Sequence, residues 1–286
     1  MSFRTLVDAA EIARRLDDPG LRIFDCRFSL ADPSVGRRAW REGHIPGALH
    51  ADIDLDLSGP RIPGVTGRHP LPSRDAWLSR VREWGLSPRD DIVVYDDAGG
   101  AVAARMWWMM RWIGHESVAV LDGGWQAWVG AGYPVTTALP EPRAARDDAD
   151  DYANRRPLTK LIEADAIDCS TQVLLDARDR RRFLGEIEPI DPVAGHVPGA
   201  RSAPSSENLG ADGRFLPKEA LRQRFERIIG ARRGQEIVCY CGSGITAAHN
   251  VLALVHAGFD EPRLYAGSWS EWITRPERGV ETGPER

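Results

Sequence analysis

Short apolar, β-branched runs alternate along the chain with longer stretches of helical periodicity. Ile92 to Tyr95, Val118 to Leu121, Val173 to Leu175 and Ile237 to Tyr240 are too short for helices and predict buried strands. Ala101 to Trp112 and Ala247 to His256 carry helical patterns. Strands alternating with helices favour a parallel sheet flanked by helices, so the expected fold class is α/β. The 101–112 stretch, with Met106, Trp107, Trp108, Met109, Met110 and Trp112, is apolar nearly all round and is expected in the core rather than around a cofactor.

The pattern occurs twice. "DIVVYDDAGGAVAARMWWMMRWIGHESVAVLDGGWQAW" (91–128) can be laid on "EIVCYCGSGITAAHNVLALVHAGFDEPRLYAGSWSEW" (236–272). Tyr95 and Tyr240 are 145 apart, whereas Trp125 and Trp269, and Trp128 and Trp272, are 144 apart, so one residue separates the two loops. "FDCR" followed by "GHIPGA" (43–48) likewise recurs as "LDAR" followed by "GHVPGA" (195–200). Between the halves lies "TTALPEPRAARDDADDYANRRP", charged, poor in large apolar residues and proline-bounded, which reads as a linker. The expected organisation is a first domain over 1–136, a linker over 137–157 and a second domain over 158–286.

Composition narrows the function. A charged fraction of 28% in 286 residues fits a soluble globular protein, and a net charge of −5 offers no general basic footprint for nucleic acid or acidic lipid. Four cysteines, no apolar run of 18 residues and no charged-then-apolar leader after Met1 fit a reducing cytoplasm. Small molecules and proteins remain as partners.

The chemistry concentrates at "CYCGSGITAAH" (239–249). In an open parallel sheet, ligands sit at the carboxyl ends of strands, and Cys241 follows the strand ending at Tyr240. The loop Gly242-Ser243-Gly244-Ile245-Thr246 can fold tightly with its amides pointing inward, ahead of a helix beginning near Ala247. A sulfur in such a nest is favoured as thiolate over thiol, and a persulfide formed there keeps the same donors. Asp96 stands at the matching place in the first half, where it is expected at the mouth of a loop that lacks the Gly-Ser-Gly order aiming the amides. Cys239, matched by Val94, is expected in the core, and Cys26 and Cys169 as packing residues. A zinc site built from Cys239, Cys241, His249 and His256 lacks any standard ligand spacing.

The combination of "FDCR…GHIPGA", "VLDGGWQAW", "LLDAR…RFLGE…GHVPGA" and "VCYCGSGITA…YAGSWSEW" resembles the tandem rhodanese-domain sulfurtransferases over nearly the whole chain, and among them the 3-mercaptopyruvate branch. Thiosulfate-type members have a loop of the form C-R-x-G-x-T; this chain has the C-G-S-G-x-T of the mercaptopyruvate type, with no basic loop residue to hold a dianion.

The resemblance implies two rhodanese-like domains, the second catalytic. It implies a Cys241 persulfide, a Ser-His-Asp relay matched by Ser243, His44 and Asp32, and a substrate cradle of Gly242, Gly244, Ile245 and Thr246. Arg182 matches an arginine that grips the substrate carboxylate; a second family arginine, nine residues on, falls at Asp191, an acidic replacement that Arg178, Arg180 or Arg181 would have to offset. The implied donor is a small anion and the acceptor a thiol such as thioredoxin or a small dithiol, or cyanide, with no metal or organic cofactor. Thiosulfate as donor is the alternative that Asp191 keeps open, and a non-catalytic binding module is the third. A cysteine-dependent phosphatase is set aside, because the arginine it needs six positions after the cysteine is Ala247.

Overall fold

The computed structural model describes residues 3–141, 152–232 and 236–285, so the middle of the expected linker, 142–151, lies outside the described residues. The chain forms two compact units: residues 1–59, 72–158 and 212–214 make the first, and 60–71, 159–211 and 215–286 the second. The short segment 60–71 therefore belongs with the half of the chain that resumes only at Thr159.

The first unit holds β1 (Leu6–Val7), α1 (Ala9–Ala13), β2 (Leu21–Asp25), α2 (Ser34–Glu42), β3 (Leu49–His50), α3 (Arg74–Glu83), β4 (Asp91–Tyr95), α4 (Ala103–Trp112), β5 (Val118–Leu121) and α5 (Gly124–Gly130). The second holds β6 (Lys160–Leu161), β7 (Gln172–Asp176), α6 (Arg180–Leu184), β8 (Arg201–Ser202), α7 (Lys218–Ile229), β9 (Glu236–Tyr240), α8 (Thr246–His256), β10 (Arg263–Leu264) and α9 (Ser268–Trp272). Each sheet has five parallel strands, in the orders β1-β5-β4-β2-β3 and β6-β10-β9-β7-β8. These are one topology written twice, as the sequence repeat predicts. The four apolar runs lie in β4, β5, β7 and β9, all interior to their sheets; β5 coincides with its run, the other three extend one or two residues beyond theirs, and the α4 stretch is buried through Met110. No described helix is long and apolar enough to cross a membrane.

The repeated motifs build the same buried network in each unit. β2 sets Asp25 opposite Tyr95 on β4, and the Tyr95 hydroxyl donates to Asp25 Oδ2 at 2.8 Å. Arg27 forks onto the same carboxylate, donates to the Gly43 carbonyl at 2.7 Å and lies over the Trp125 ring. In the second unit Asp176, Tyr240, Arg178, the Gly195 carbonyl (2.6 Å) and Trp269 repeat it contact for contact. A buried guanidinium and carboxylate are costly unless paired, and here each is paired and further hydrogen-bonded.

The histidine of each Gly-His-x-Pro-Gly-Ala motif sits beside that network, between a carbonyl that takes the arginine and an amide on the tyrosine hydroxyl. His44 Nδ1 lies 2.7 Å from the Trp40 carbonyl and Nε2 3.2 Å from that of Ala138; His196 Nδ1 lies 2.7 Å from the Phe183 carbonyl. Both rings are buried, and both backbones pair antiparallel with the tail of their own unit, at Thr136 and Glu281.

Candidate active site

β9 ends at Tyr240, and Cys241 begins the turn that α8 closes. The turn needs glycine at Gly244, where φ is +81° and an added Cβ would lie 2.2 Å from the Ala266 carbonyl oxygen. That close approach presses the loop onto the start of α9. Trp269 and Ser270 donate their amides to the Cys241 and Gly242 carbonyls, both at 2.9 Å.

Within the loop, Cys241 Sγ accepts the Gly244 amide at 3.1 Å. The sulfur is nearly out of reach of solvent, at 2% residue exposure. Ser268 clamps it from behind: its hydroxyl accepts the Cys241 amide at 3.0 Å, donates to the Tyr265 carbonyl at 2.9 Å and stands 4.0 Å from Sγ. Among the described residues Ser268 alone has positive φ without being glycine (56°); its counterpart Gly124 has φ 54°. Holding a serine in this conformation costs about 1–2 kcal/mol, a strain kept where it fixes the cysteine. Sequence reading passes over Ser268, although a serine in place of the second glycine of "GGW" marks it.

The first unit shows what such a loop can do with an anion. Asp96 is fully buried, not at a loop mouth; Oδ1 accepts the amides of Ala98 (2.9 Å) and Gly100 (2.8 Å), and Oδ2 those of Val102 (2.7 Å) and Ala103 (2.8 Å). The expectation that this loop fails to aim its amides is thus corrected. They are aimed, and a carboxylate fills the nest.

Ser243 Oγ lies 2.9 Å from His69 Nδ1, both groups buried in the second unit. The relay histidine expected at His44 is therefore corrected: both His44 nitrogens face backbone carbonyls of the first unit, and the imidazole on Ser243 is His69. Asp32 is also displaced from the expected role. It is exposed and holds the start of α2, accepting from the Ser34 amide (3.0 Å) and hydroxyl (2.6 Å) and from Arg38 (2.9 Å), which brings its carboxyl down to about 2. Neither His44 nor His69 is what Asp32 bonds.

Arg182, on α6, reaches the loop. Its Nη1 is 3.7 Å from where a Cβ on Gly242 would stand, and Glu188 takes its Nε (3.1 Å) and Nη2 (2.7 Å). Asp191 bridges two guanidiniums, accepting from Arg182 Nη2 at 3.1 Å and from Arg68 Nη1. None of the three arginines expected to offset Asp191 hydrogen-bonds it: Arg178 is paired with Asp176 and Glu188 and acts on Asp191 only through its charge, while Arg180 and Arg181 are exposed and face Glu285 and Glu186.

The remaining cysteines are packing groups. Cys239 is fully buried in β9, and burial pushes its thiol well up; Cys26 is likewise buried, 3.8 Å from Met106 Sδ, and Cys169 Sγ lies 3.2 Å from the Pro198 carbonyl. His249 stacks on Phe215, and no cluster of three or more His, Cys, Asp or Glu among the described residues could hold a metal ion.

Residues 8–131 and 158–275 each match the family described as Rhodanese-like domain. A Pseudomonas aeruginosa protein named for 3-mercaptopyruvate sulfurtransferase is 49% identical over 99% of this chain and 100% of its own length. A Mycobacterium tuberculosis protein named for thiosulfate sulfurtransferase is 40% identical, covering 98% of each. The solved structure of 3-mercaptopyruvate sulfurtransferase from Leishmania major superposes with a TM-score of 0.82 at 31% identity, over 94% of this chain and 74% of that one. Two matched copies, one repeated sheet order and a cysteine loop in only the second make the chain a tandem member of the rhodanese-like domain family.

Proposed function

We propose that the chain moves sulfur from 3-mercaptopyruvate through a Cys241 persulfide to a thiol acceptor, releasing pyruvate. The observation that carries this is the loop itself: a buried sulfur accepting a loop amide, next to a serine hydrogen-bonded to a histidine. Cys241 thiolate attacks the donor sulfur; the S–S bond forms as the C–S bond breaks, and the electron pair leaves as the enolate of pyruvate. Ser243, relayed by His69, supplies the proton that turns the enolate into pyruvate. An acceptor thiol such as thioredoxin or a small dithiol, or cyanide, then attacks the outer sulfur and frees Cys241. The Gly242 to Thr246 turn cradles the departing group, Arg182 faces the donor's carboxylate, and the first unit does no chemistry. The chain acts in the cytoplasm.

A second reading, with thiosulfate as donor, draws on Asp191, which removes a carboxylate-binding arginine, and on the name of the Mycobacterium relative. Intact mass after incubation with each donor reads the added sulfur, and steady-state rates rank the donors. We expect kcat/KM for 3-mercaptopyruvate to exceed that for thiosulfate by at least about tenfold, roughly 1.4 kcal/mol. The reverse ratio would promote the second reading, and no added sulfur with either donor would sink both.

A further inference from the structure

The segment 60–71 brings a second arginine to the cysteine loop. Gly67 packs so closely that an added Cβ would lie 2.5 Å from the Gly267 carbonyl oxygen, and the Arg68 amide donates to Ser270 Oγ at 3.0 Å. So anchored, the Arg68 side chain runs between Asp191 and Gly242. Its Nη1 meets Asp191, while Nη2 is 2.8 Å from the place a Cβ on Gly242 would take.

Two guanidiniums thus converge on the residue that follows Cys241. Among the described residues, Arg68 Nη2 and Arg182 Nη1, the nitrogens nearest that point, donate to no protein acceptor, and Arg68 Nε is buried without a partner. The buried, unmade Arg68 Nε costs about 1–3 kcal/mol, an expense tolerated where a ligand completes the site, and the two Nη nitrogens are left open to one. Acids take other nitrogens of both arginines. Glu188 and Asp191 hold Arg182, and Asp191 holds Arg68. Arg68, Arg182 and Arg178, which also pairs with Glu188, give +3; Asp191, Glu188 and Asp176, the partner of Arg178, give −3; and the charges cancel. A site with two convergent forks but no net charge suits a delocalised monoanion better than a dianion.

We infer that Arg68 is the second guanidinium of the donor-anion site, standing in for the arginine that Asp191 replaces, and that Asp191 positions both guanidiniums while restricting the site to singly charged donors. This rests on the sulfurtransferase reading above. The arginine has changed segments: position 191 carries the acid, and position 68 carries the base.

The test separates the two claims. Mass of the unmodified protein with 3-mercaptopyruvate tests sulfur transfer; pyruvate titrated into the Cys241→Ser protein by calorimetry tests the anion site without turnover. We expect Arg68→Ala to weaken pyruvate about tenfold or more, as Arg182→Ala does, with Arg68→Lys falling between because it keeps the charge and loses the fork. In the otherwise unmodified enzyme the same change should raise KM for 3-mercaptopyruvate about as much, with kcat within about threefold. Asp191→Asn should raise the ratio of thiosulfate to 3-mercaptopyruvate kcat/KM by about fivefold or more. Pyruvate affinity within about twofold of the parent in a folded Arg68→Ala protein, with Arg182→Ala still losing it, would overturn the assignment. An unchanged donor ratio in Asp191→Asn would overturn the role of the acid.

Discussion

His69 Nδ1 meets Ser243 Oγ at 2.9 Å, joining residues 174 apart in sequence within one unit. A hydroxyl is a poor acid on its own, and a ring nitrogen at this distance can relay its proton. His69→Gln and Ser243→Ala should each lower kcat for 3-mercaptopyruvate by about a hundredfold, and the double variant should lose little more, because the two act as one unit. His44→Gln should behave differently: it removes a buried ring whose nitrogens face two backbone carbonyls, so it should lower the melting temperature and leave kcat of the folded protein within about threefold. A His44→Gln protein that is stable but inactive would restore His44 to the chemistry.

The two cysteines of the β9 end separate cleanly. Cys241→Ser should retain the fold and take up no sulfur, since a hydroxyl in this loop is not ionised by an amide and a helix end. Cys239→Ser buries a hydroxyl in the core, for which about 1–3 kcal/mol of stability should be lost while the persulfide still forms at residue 241. Peptide mapping of the sulfur after brief incubation with donor checks both.

The sheets were legible in the sequence because buried strands of a parallel sheet are continuous apolar runs, and the repeat supplied the same order twice. Cys241 was singled out because its loop joins a strand end to a helix start, whereas Ser243 and Arg182 were singled out by the family resemblance; the structure sets Ser243 on His69 and Arg182 beside Gly242. Arg68 and His69 were not. Segment 60–71 has neither strand nor helix period, and its partners Asp191 and Ser243 are far away in sequence. His44 misled for a reason the repeat itself contained: His196 occupies the same motif and also faces a backbone carbonyl, so the motif marks a fold contact. Ser268 escaped notice because its importance lies in a backbone angle, which periodicity does not report.

Asp96 offers a test of the nest without a nucleophile. Four amides, three of them buried, converge on its two oxygens, so Asp96→Ala should cost about 2–4 kcal/mol by orphaning the buried ones, read as a shift in urea midpoint. Asp96→Cys should not create a second sulfur-carrying centre. One sulfur cannot take up what two carboxylate oxygens accept, and no serine on a histidine is seen at that turn among the described residues; an added sulfur mapped to residue 96 would show the first unit to be a latent enzyme.

His115 predicts an acid limb in the stability of the first unit. The ring is fully buried, with Nε2 donating to the Ser117 carbonyl at 3.0 Å and Nδ1 accepting from the Tyr152 hydroxyl at 2.7 Å, an arrangement that suits the neutral imidazole. Burial is the main cause holding its pKa down, from 6.5 to about 4. The folded form therefore binds the proton less readily than the unfolded chain. Its contribution is fully present above about pH 6.5, falls as the unfolded chain protonates, and is lost as pH drops through about 4. The loss should be on the order of 3 kcal/mol. Urea titrations at pH 7.5, 5.5 and 4 should show His115→Gln less stable than the parent at the highest pH but with a shallower fall, so that the two curves approach at pH 4. Parallel curves across that window would mean that His115 does not titrate with folding, and that the acid limb belongs to the carboxylates.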